Sequence, residues 1–262
     1  MGDTIYAPLL DSMRWSYSRL TSFENCEYAW YLRYLYGEYE APNFYSSYGS
    51  LVHKLLEKYF RDEISIQDLP SEFLNGFFAD VSWLTRSSSI AEKYMIAGHD
   101  YFSSFSPPPY KRLGVEERVE FDLDGNRFVG IIDLVCDDNG ELMIVDHKSR
   151  DLKHRSKRKK PTKADEELDK YLRQLYLYSI GVEERYGKLP TWLCLNCFRT
   201  GTFIKEPFCG DAFEETKKWA TKLIKEIKNT EVFRPTIDWF YCTNLCGFRD
   251  TCCYYKDMME RR

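Results

Sequence analysis

The sequence lacks any long apolar run, and it lacks a basic N-terminal stretch followed by an apolar segment. A membrane-spanning helix needs roughly 18 or more consecutive apolar residues, and a secretory leader needs the basic stretch. We therefore expect a soluble protein that stays in the cytoplasm and has no membrane partner. Disorder over most of the chain is also excluded, because 44% of the residues are hydrophobic and 16% are aromatic.

The chain also lacks an excess of positive charge, since it has 37 basic and 41 acidic residues and a formal net charge of −4. This balance excludes a protein that coats nucleic acid by bulk attraction. The charge is uneven, however, because residues 150–163 contain eight Lys or Arg and a single Asp. These cations could meet phosphates, and we predict DNA contacts from Arg150, Lys153, Arg155, Lys157 and Arg158. The alternative is a disordered, solvated loop.

At 262 residues the chain can bury a sizeable core, and we expect residues 1–262 to form one elaborated domain. Its expected parts are a helical part over 16–110, a catalytic core over 111–206, and a final helix with a cysteine-rich metal-binding tail over 207–262.

The first part begins with a predicted helix over residues 18–36 that contains Cys26. Thr21 and Glu24 could form its capping box, and Gly37 is expected to end it.

A second helix is predicted over residues 48–61, where Gly49, His53 and Glu57 recur at four-residue spacing along one face. Weaker helical patterns continue until three consecutive prolines end the helical region at residues 107–109.

The hydrophobic period then changes to two, which predicts a three-stranded antiparallel meander. Its strands fall at 115–123, 127–136 and 141–147, and tight glycine-containing turns separate them. A long amphipathic helix over 165–186, strands over 191–199 and 202–206, and a helix over 211–228 follow. This order predicts an α/β fold with a central mixed sheet flanked by helices.

The last two strands of the meander each carry a carboxylate beside apolar residues, Asp133 in one and Asp146 in the other. Adjacent strands could bring the two side by side. Because alternate strand residues share a face, Asp146 and Lys148 should point the same way and His147 the opposite way. This pattern predicts a Mg²⁺ or Mn²⁺ site with a cation beside it, which suits phosphodiester hydrolysis. Lys148 could orient or deprotonate the attacking water, or offset developing charge.

Taken alone, an Asp-x-Lys pattern often arises by chance, with two aspartates that simply end strands and a solvated lysine. Asp133, Asp146 and Lys148 nevertheless resemble the motif of the PD-(D/E)XK nuclease superfamily, whose core is restriction-endonuclease-like. Gly49 to His53 is similar to the G-x-x-x-H helix, and Gln174 to Tyr178 to the Q-x-x-x-Y helix, of the RecB-like branch. That branch includes the CRISPR-adaptation exonucleases and AddB.

The resemblance implies roles for the matching residues. His53 would be a metal ligand together with Asp133 and Asp146, and the metal would also take a backbone carbonyl near His147. Gln174 and Tyr178 would support the lysine and the DNA backbone. Each of these short patterns also has an ordinary structural explanation, namely a helical histidine at the surface or satisfied in the core, and a Gln-x-x-x-Tyr used in packing.

Glu117 is a separate candidate, because its parity puts it on the same strand face as Val119 and Phe121. A carboxylate on an inward face should be paired or bound to metal. Glu117 could therefore be a further acidic member of the site, although a register shift of one residue would send it to solvent.

Nine cysteines suit free thiols or metal ligands better than a disulfide framework in a cytoplasmic protein. Cys242, Cys246 and Cys252 lie close together in the tail, with Cys253 adjacent. By resemblance to RecB-like nucleases with an iron-sulfur cluster, Cys26 would join these three as ligands of a [4Fe-4S] cluster that clasps the tail to the N-terminal helix.

The tail departs from the family spacing by one extra residue between Cys242 and Cys246, and Cys253 could replace Cys252. Zinc is the alternative metal, because four thiolates suit either. Cys194 and Cys197 lie in a strand pattern where residues three apart face opposite ways, so they are expected to be ordinary thiols.

The resemblance therefore implies a metal-dependent DNA nuclease, with an exonuclease of single strands or DNA ends as the expected activity. Its setting would be repair, recombination or phage replication in a bacterial or phage-infected cell, with a helicase or recombinase as a possible partner. Two alternatives stay open: a catalytically silent DNA-binding or assembly subunit that retains the fold, and a zinc-stabilised interaction protein.

Overall fold

The structure is a computed structural model that describes residues 5–260. Its centre is a five-stranded mixed sheet in the order β1-β2-β3-β4-β5. The strands are β1 (Lys111–Leu123), β2 (Asn126–Asp138), β3 (Glu141–Lys148), β4 (Trp192–Cys197) and β5 (Thr202–Pro207). Neighbouring strands are antiparallel except β3 and β4, which are parallel because a long crossover joins them. The predicted meander and mixed sheet are confirmed.

Two tight turns create the meander. Asp124 and Gly125 link β1 to β2, and Asn139 and Gly140 link β2 to β3, all with positive φ. Consecutive positive φ values match the right-handed twist of the flanking strands, and Asp-Gly and Asn-Gly tolerate them. The turns therefore fix the register that brings the ends of β2 and β3 together.

Helices cover both faces of the sheet. They are α1 (Ala7–Asp11), α2 (Tyr17–Asn25), α3 (Glu27–Tyr31), α4 (Phe44–Phe60), α5 (Leu69–Gly76), α6 (Ser88–Ser103), α7 (Lys163–Tyr186), α8 (Gly210–Asn229) and α9 (Cys253–Glu260). One core lies between the sheet and α2, α7 and α8, and a second lies between the sheet and α4, α5 and α6. Within residues 5–260, no helix is both long and apolar enough to cross a membrane.

The single helix predicted over residues 18–36 is wrong, because the chain breaks at Cys26. Cys26 has extended φ and ψ of −164° and 108°, and it caps α3 by accepting a hydrogen bond from the Ala29 N–H. The predicted capping box is also wrong, since Ser16 caps α2 instead. Gly37, with φ of 78°, ends this helical region after a π-helical turn, as predicted.

Candidate active site and cysteine pocket

Asp133 and Asp146 lie at the same end of neighbouring strands. The ladder between β2 and β3 ends at the pair Leu134 and Val145, and the two aspartates are the next residues on either strand. The Asp133 carboxylate accepts a hydrogen bond of 2.5 Å from the His147 N–H across this gap. Both carboxylates are buried, so their charges must be balanced by nearby cations or donors.

Along β2, the side chains of even-numbered residues change from one face of the sheet to the other around Asp133. Phe128 and Ile132 pack in the core beneath α7, whereas Leu134 and Cys136 pack in the core beneath α4, although all four have the same parity. A regular strand would keep them on one face. The reversal lets Asp133 approach the helix that carries His53.

His53, on α4, faces this aspartate. Its Nδ1 lies 3.4 Å from Asp133 Oδ2, and its Nε2 lies 2.8 Å from the His147 carbonyl oxygen. Glu116 completes the cluster, because its carboxylate, the imidazole and the Asp133 carboxylate offer atoms that all lie within 4.8 Å of one another. This arrangement can hold a metal ion. Burial, followed by the Asp133 charge, raises the pKa of Glu116 to about 7.

Lys148 lies on the same side of the sheet as Asp146, as the alternation predicts, and this side is covered by α7. Its Nζ lies 2.7 Å from Asp146 Oδ2 and donates to Gln174 Oε1 at 2.9 Å. Gln174 also donates from Nε2 to Asp146 Oδ1 at 2.7 Å, so the three side chains form a closed ring. His147 points to the opposite face and stacks on Phe60.

The pKa values of these groups follow from burial opposed by charge. Burial alone would raise the pKa of Asp133, but the bonds and charge of His53 and the His147 N–H lower it to about 2. Burial raises the pKa of Asp146 despite Lys148. Burial would lower the pKa of Lys148, yet the Asp146 charge raises it above its usual value. Burial lowers the pKa of His147 to about 4, which favours a neutral ring.

Tyr178 contributes packing rather than a bond to the lysine. Its ring is buried against Gly130, where an added Cβ would lie 2.6 Å from the ring carbon Cε1. Gly130 thus lets α7 approach β2 three residues before Asp133.

Replacing Gly130 by alanine should push Tyr178 away and destabilise the protein by about 1–3 kcal/mol. Gly49→Ala is the matched control, because an added Cβ there meets nothing within 4 Å and a helical Gly→Ala change should stabilise by up to about 1 kcal/mol. Urea melts followed by circular dichroism measure both variants. Equal stabilities would contradict this packing role.

Glu117 does not join the cluster of His53, Glu116 and Asp133, which could hold a metal ion. It faces inward, as its parity predicts, but its carboxylate pairs with Arg185 and accepts from the Tyr186 hydroxyl. The neighbouring Glu116 reaches the cluster instead. The backbone of β1 is irregular at this end, with a register shift between Arg112 and Gly114 and a positive φ of 47° at Glu116. Neither is visible in the sequence, so Glu116 was not predicted.

Four cysteines line a second pocket between the N-terminal helices and the tail: Cys26, Cys242, Cys246 and Cys252. The predicted substitute, Cys253, is exposed and instead lies 3.9 Å from the Tyr28 hydroxyl. In the described part of the chain, no three cysteine sulfurs approach within 4.8 Å of one another. A single tetrahedral zinc would need sulfurs about 3.8 Å apart, from its Zn–S length of about 2.3 Å.

Backbone contacts hold this pocket together. Tyr28 donates from its N–H to the Arg234 carbonyl, and the Thr236 N–H donates to Cys26 Sγ at 3.4 Å. The rings of Tyr28 and Tyr254 also meet edge to face. Cys194 and Cys197 lie elsewhere, buried in the two cores on opposite sheet faces.

The basic segment is anchored rather than free. Leu152 is buried, and the Asp165 carboxylate accepts four hydrogen bonds, two from Ser156 and two from Thr162. These bonds hold the pKa of Asp165 well below its usual value.

The five predicted DNA contacts of this segment therefore differ in availability. Arg155 is paired with Asp169 and Glu206, and Lys153 is paired with Asp151. The side chains of Arg150, Lys157 and Arg158 are exposed.

Comparison with known proteins supports the fold. A solved structure of a candidate exonuclease from Eubacterium rectale matches with a TM-score of 0.54 and 16% identity, over 98% of this chain and 92% of that one. No curated protein matches the sequence. The family model of the PD-(D/E)XK nuclease superfamily matches residues 14–253. The chain therefore belongs to the PD-(D/E)XK nuclease superfamily.

Proposed function

We propose that this protein is a Mg²⁺- or Mn²⁺-dependent deoxyribonuclease that hydrolyses phosphodiester bonds as an exonuclease of single-stranded DNA or DNA ends. The observation that carries the proposal is the ring of Asp146, Lys148 and Gln174 beside the contact of His53 with Asp133. A lysine and a hydrogen-bonded carboxylate lie next to a cluster that can hold a metal ion. Phosphoryl chemistry explains this arrangement better than a purely structural ion pair does.

The donor atoms fit a hard divalent cation. The Asp133 carboxylate, the His53 imidazole and the His147 carbonyl oxygen lie close together, and sets of this kind suit Mg²⁺ and Mn²⁺. Glu116 is an additional carboxylate there. The Asp146 carboxylate bonds Lys148 and Gln174, and we propose that it also serves the metal ion. When bound, the ion would neutralise phosphate charge and lower the pKa of a water molecule.

The side chains around that position would orient the reactants. Lys148, fixed by Asp146 and Gln174, presents its ammonium group to the attacking water or to the developing charge on the phosphate. Gln174 prevents rotation of both partners, since it bonds each of them. A fixed cation costs no reorganisation during the reaction, and this preorganisation is the main source of its effect.

We also infer that the protein belongs to the RecB-like branch and carries a [4Fe-4S] cluster on Cys26, Cys242, Cys246 and Cys252. The observation that supports a shared metal site is that all four cysteines line one pocket between the N-terminal helices and the tail. The choice of the cluster over zinc rests on the resemblance of the cysteine order to that of RecB-like nucleases. The cluster would hold the tail against the N-terminal helices and leave catalysis to the carboxylates.

The test is cleavage of end-labelled single-stranded and blunt double-stranded DNA by anaerobically purified protein with Mg²⁺, Mn²⁺ or EDTA. We expect degradation of the single strand with either metal and none in EDTA, and the label position gives the polarity. Lys148→Met protein purified in parallel excludes a contaminating nuclease. If folded, metal-replete wild type leaves every substrate intact, the nuclease proposal fails and the silent-subunit alternative takes its place.

A further inference from the structure

An open groove of about 820 Å³ runs between α2 and α7 and is separate from the metal-binding cluster. Its walls include Tyr17 from α2, Tyr171 from α7, and Arg150 from the segment that follows β3. The Tyr17 hydroxyl donates to the Lys170 carbonyl oxygen at 2.5 Å, so the two helices are in contact beside the groove.

Basic side chains line the α7 wall. Lys163, Lys170 and Arg173 recur at spacings of seven and three residues, which places them along neighbouring stripes of one helix. Lys163 and Lys170 are exposed, and within residues 5–260 no carboxylate forms an ion pair with either. Arg173 stacks on Trp219. Cations without partners are available for phosphates.

Carboxylates also line the groove, but they lie farther from its inner end. Glu166 and Glu167 precede Tyr171 by at least one helical turn, whereas Lys170 and Arg173 flank it. Glu24 is occupied by the Trp219 indole N–H at 2.9 Å. Lys170 and Arg173 are therefore closer to Tyr171 than Glu166 and Glu167 are, whereas Lys163 lies beyond the two glutamates.

The inner end of the groove meets the catalytic lysine. Lys148 Nζ lies 5.9 Å from the centre of the Tyr171 ring, and Gln174, which bonds Lys148, is one helical turn further along α7. Arg150 follows Lys148 by two residues. Tyr171, which lines the groove, is thus the residue that connects it with Lys148. Tyr171, partly exposed, offers a ring face for an unpaired base.

We propose that the groove between α2 and α7 is the path of single-stranded DNA to the active site, with phosphates against Lys163, Lys170, Arg173 and Arg150 and a base against Tyr171. This inference rests on the proposed nuclease function, narrows its substrate to the single strand and adds the route of that strand. It assigns phosphate contacts to α7, outside the five cations predicted from the sequence.

The test compares two charge reversals that change the net charge equally. Lys163→Glu/Lys170→Glu alters the groove, and the matched control Lys93→Glu/Lys111→Glu alters two exposed lysines on α6 and β1. Fluorescence anisotropy measures affinity for a labelled oligo(dT) strand and for a blunt duplex of equal length, with Ca²⁺ in place of Mg²⁺. Thermal melts followed by circular dichroism verify that each variant is folded.

We expect the groove variant to bind oligo(dT) roughly ten-fold or more weakly than the control, with a salt dependence shallower by about 0.7 for each phosphate that the variant no longer neutralises. Equal affinities for the groove variant and the control overturn the path, even if wild type cuts DNA. Weaker binding of the duplex alone overturns the single-strand assignment. Wild type that binds oligo(dT) through the groove but cuts nothing refutes the nuclease proposal and leaves the binding path standing.

Discussion

Replacing Lys148 by methionine is expected to lower the rate of DNA cleavage at saturating substrate by about 10²–10³-fold. The ammonium group is the cation fixed beside both Asp146 and Gln174, and methionine retains most of its volume without its charge. A group that acts on the transition state affects kcat, whereas one that only attracts DNA affects KM. Single-turnover cleavage of end-labelled single strands measures the difference.

The matched control is Lys205→Met. Lys205, on β5 of the same sheet, also forms a partly buried ion pair, with Asp138 at 2.8 Å, but in the described structure it has no contact with the ring of Asp146, Lys148 and Gln174. It should keep wild-type kcat. A Lys148→Met variant that cleaves as fast as Lys205→Met would show that the catalytic assignment is wrong.

Removing Lys148 also leaves a buried carboxylate without its cation, and such a change can cost about 3–5 kcal/mol. The double variant Lys148→Met/Asp146→Asn removes the leftover charge, so it should regain stability without regaining activity. Because Asp146 is itself proposed to act in catalysis, this double variant tests only where the stability loss comes from. The role of Lys148 in catalysis is tested by the comparison of Lys148→Met with Lys205→Met.

Most of the architecture around this site follows from local patterns in the sequence. Two-residue periodicity and Asp-Gly and Asn-Gly turns predict the meander, and the apolar spacing of residues 165–186 predicts α7. Alternation along β3 also predicts which side chains share a face. The ring of Asp146, Lys148 and Gln174 could not be derived in this way, because it depends on the packing of α7 over β3.

The features that were not predicted arise where one residue departs from a regular period. Glu116, whose backbone has a positive φ, lies in the cluster with His53, whereas strand parity favours Glu117. The apolar pattern predicts one helix, but the backbone at Cys26 interrupts it and divides it into α2 and α3. Arg155 counts as a free cation in the sequence, yet it pairs with two carboxylates from elements distant in the chain.

Substituting Cys26 by serine is expected to lower the melting temperature of the anaerobically purified protein by roughly 10–20 °C. Cys26 is the one proposed cluster ligand that comes from before the sheet, so its removal would open a loop of about two hundred residues between it and Cys242. In the chain-entropy treatment of cross-links, a loop of that length contributes about 5 kcal/mol. For a domain of this size each kcal/mol shifts the melting temperature by about 2–4 °C.

Serine is an informative replacement, because Cys26 also caps α3 through Ala29 and a serine oxygen caps a helix well. Without a metal, Cys26→Ser should therefore be neutral or slightly stabilising, so a large drop in stability points to ligation. Cys253→Ser, an exposed thiol outside the pocket, should melt like wild type. Iron and sulfide analysis should give about four of each per wild-type chain. A content of one zinc and no iron would show that the site binds zinc and not a cluster. A Cys26→Ser variant that melts like wild type would contradict metal ligation by Cys26.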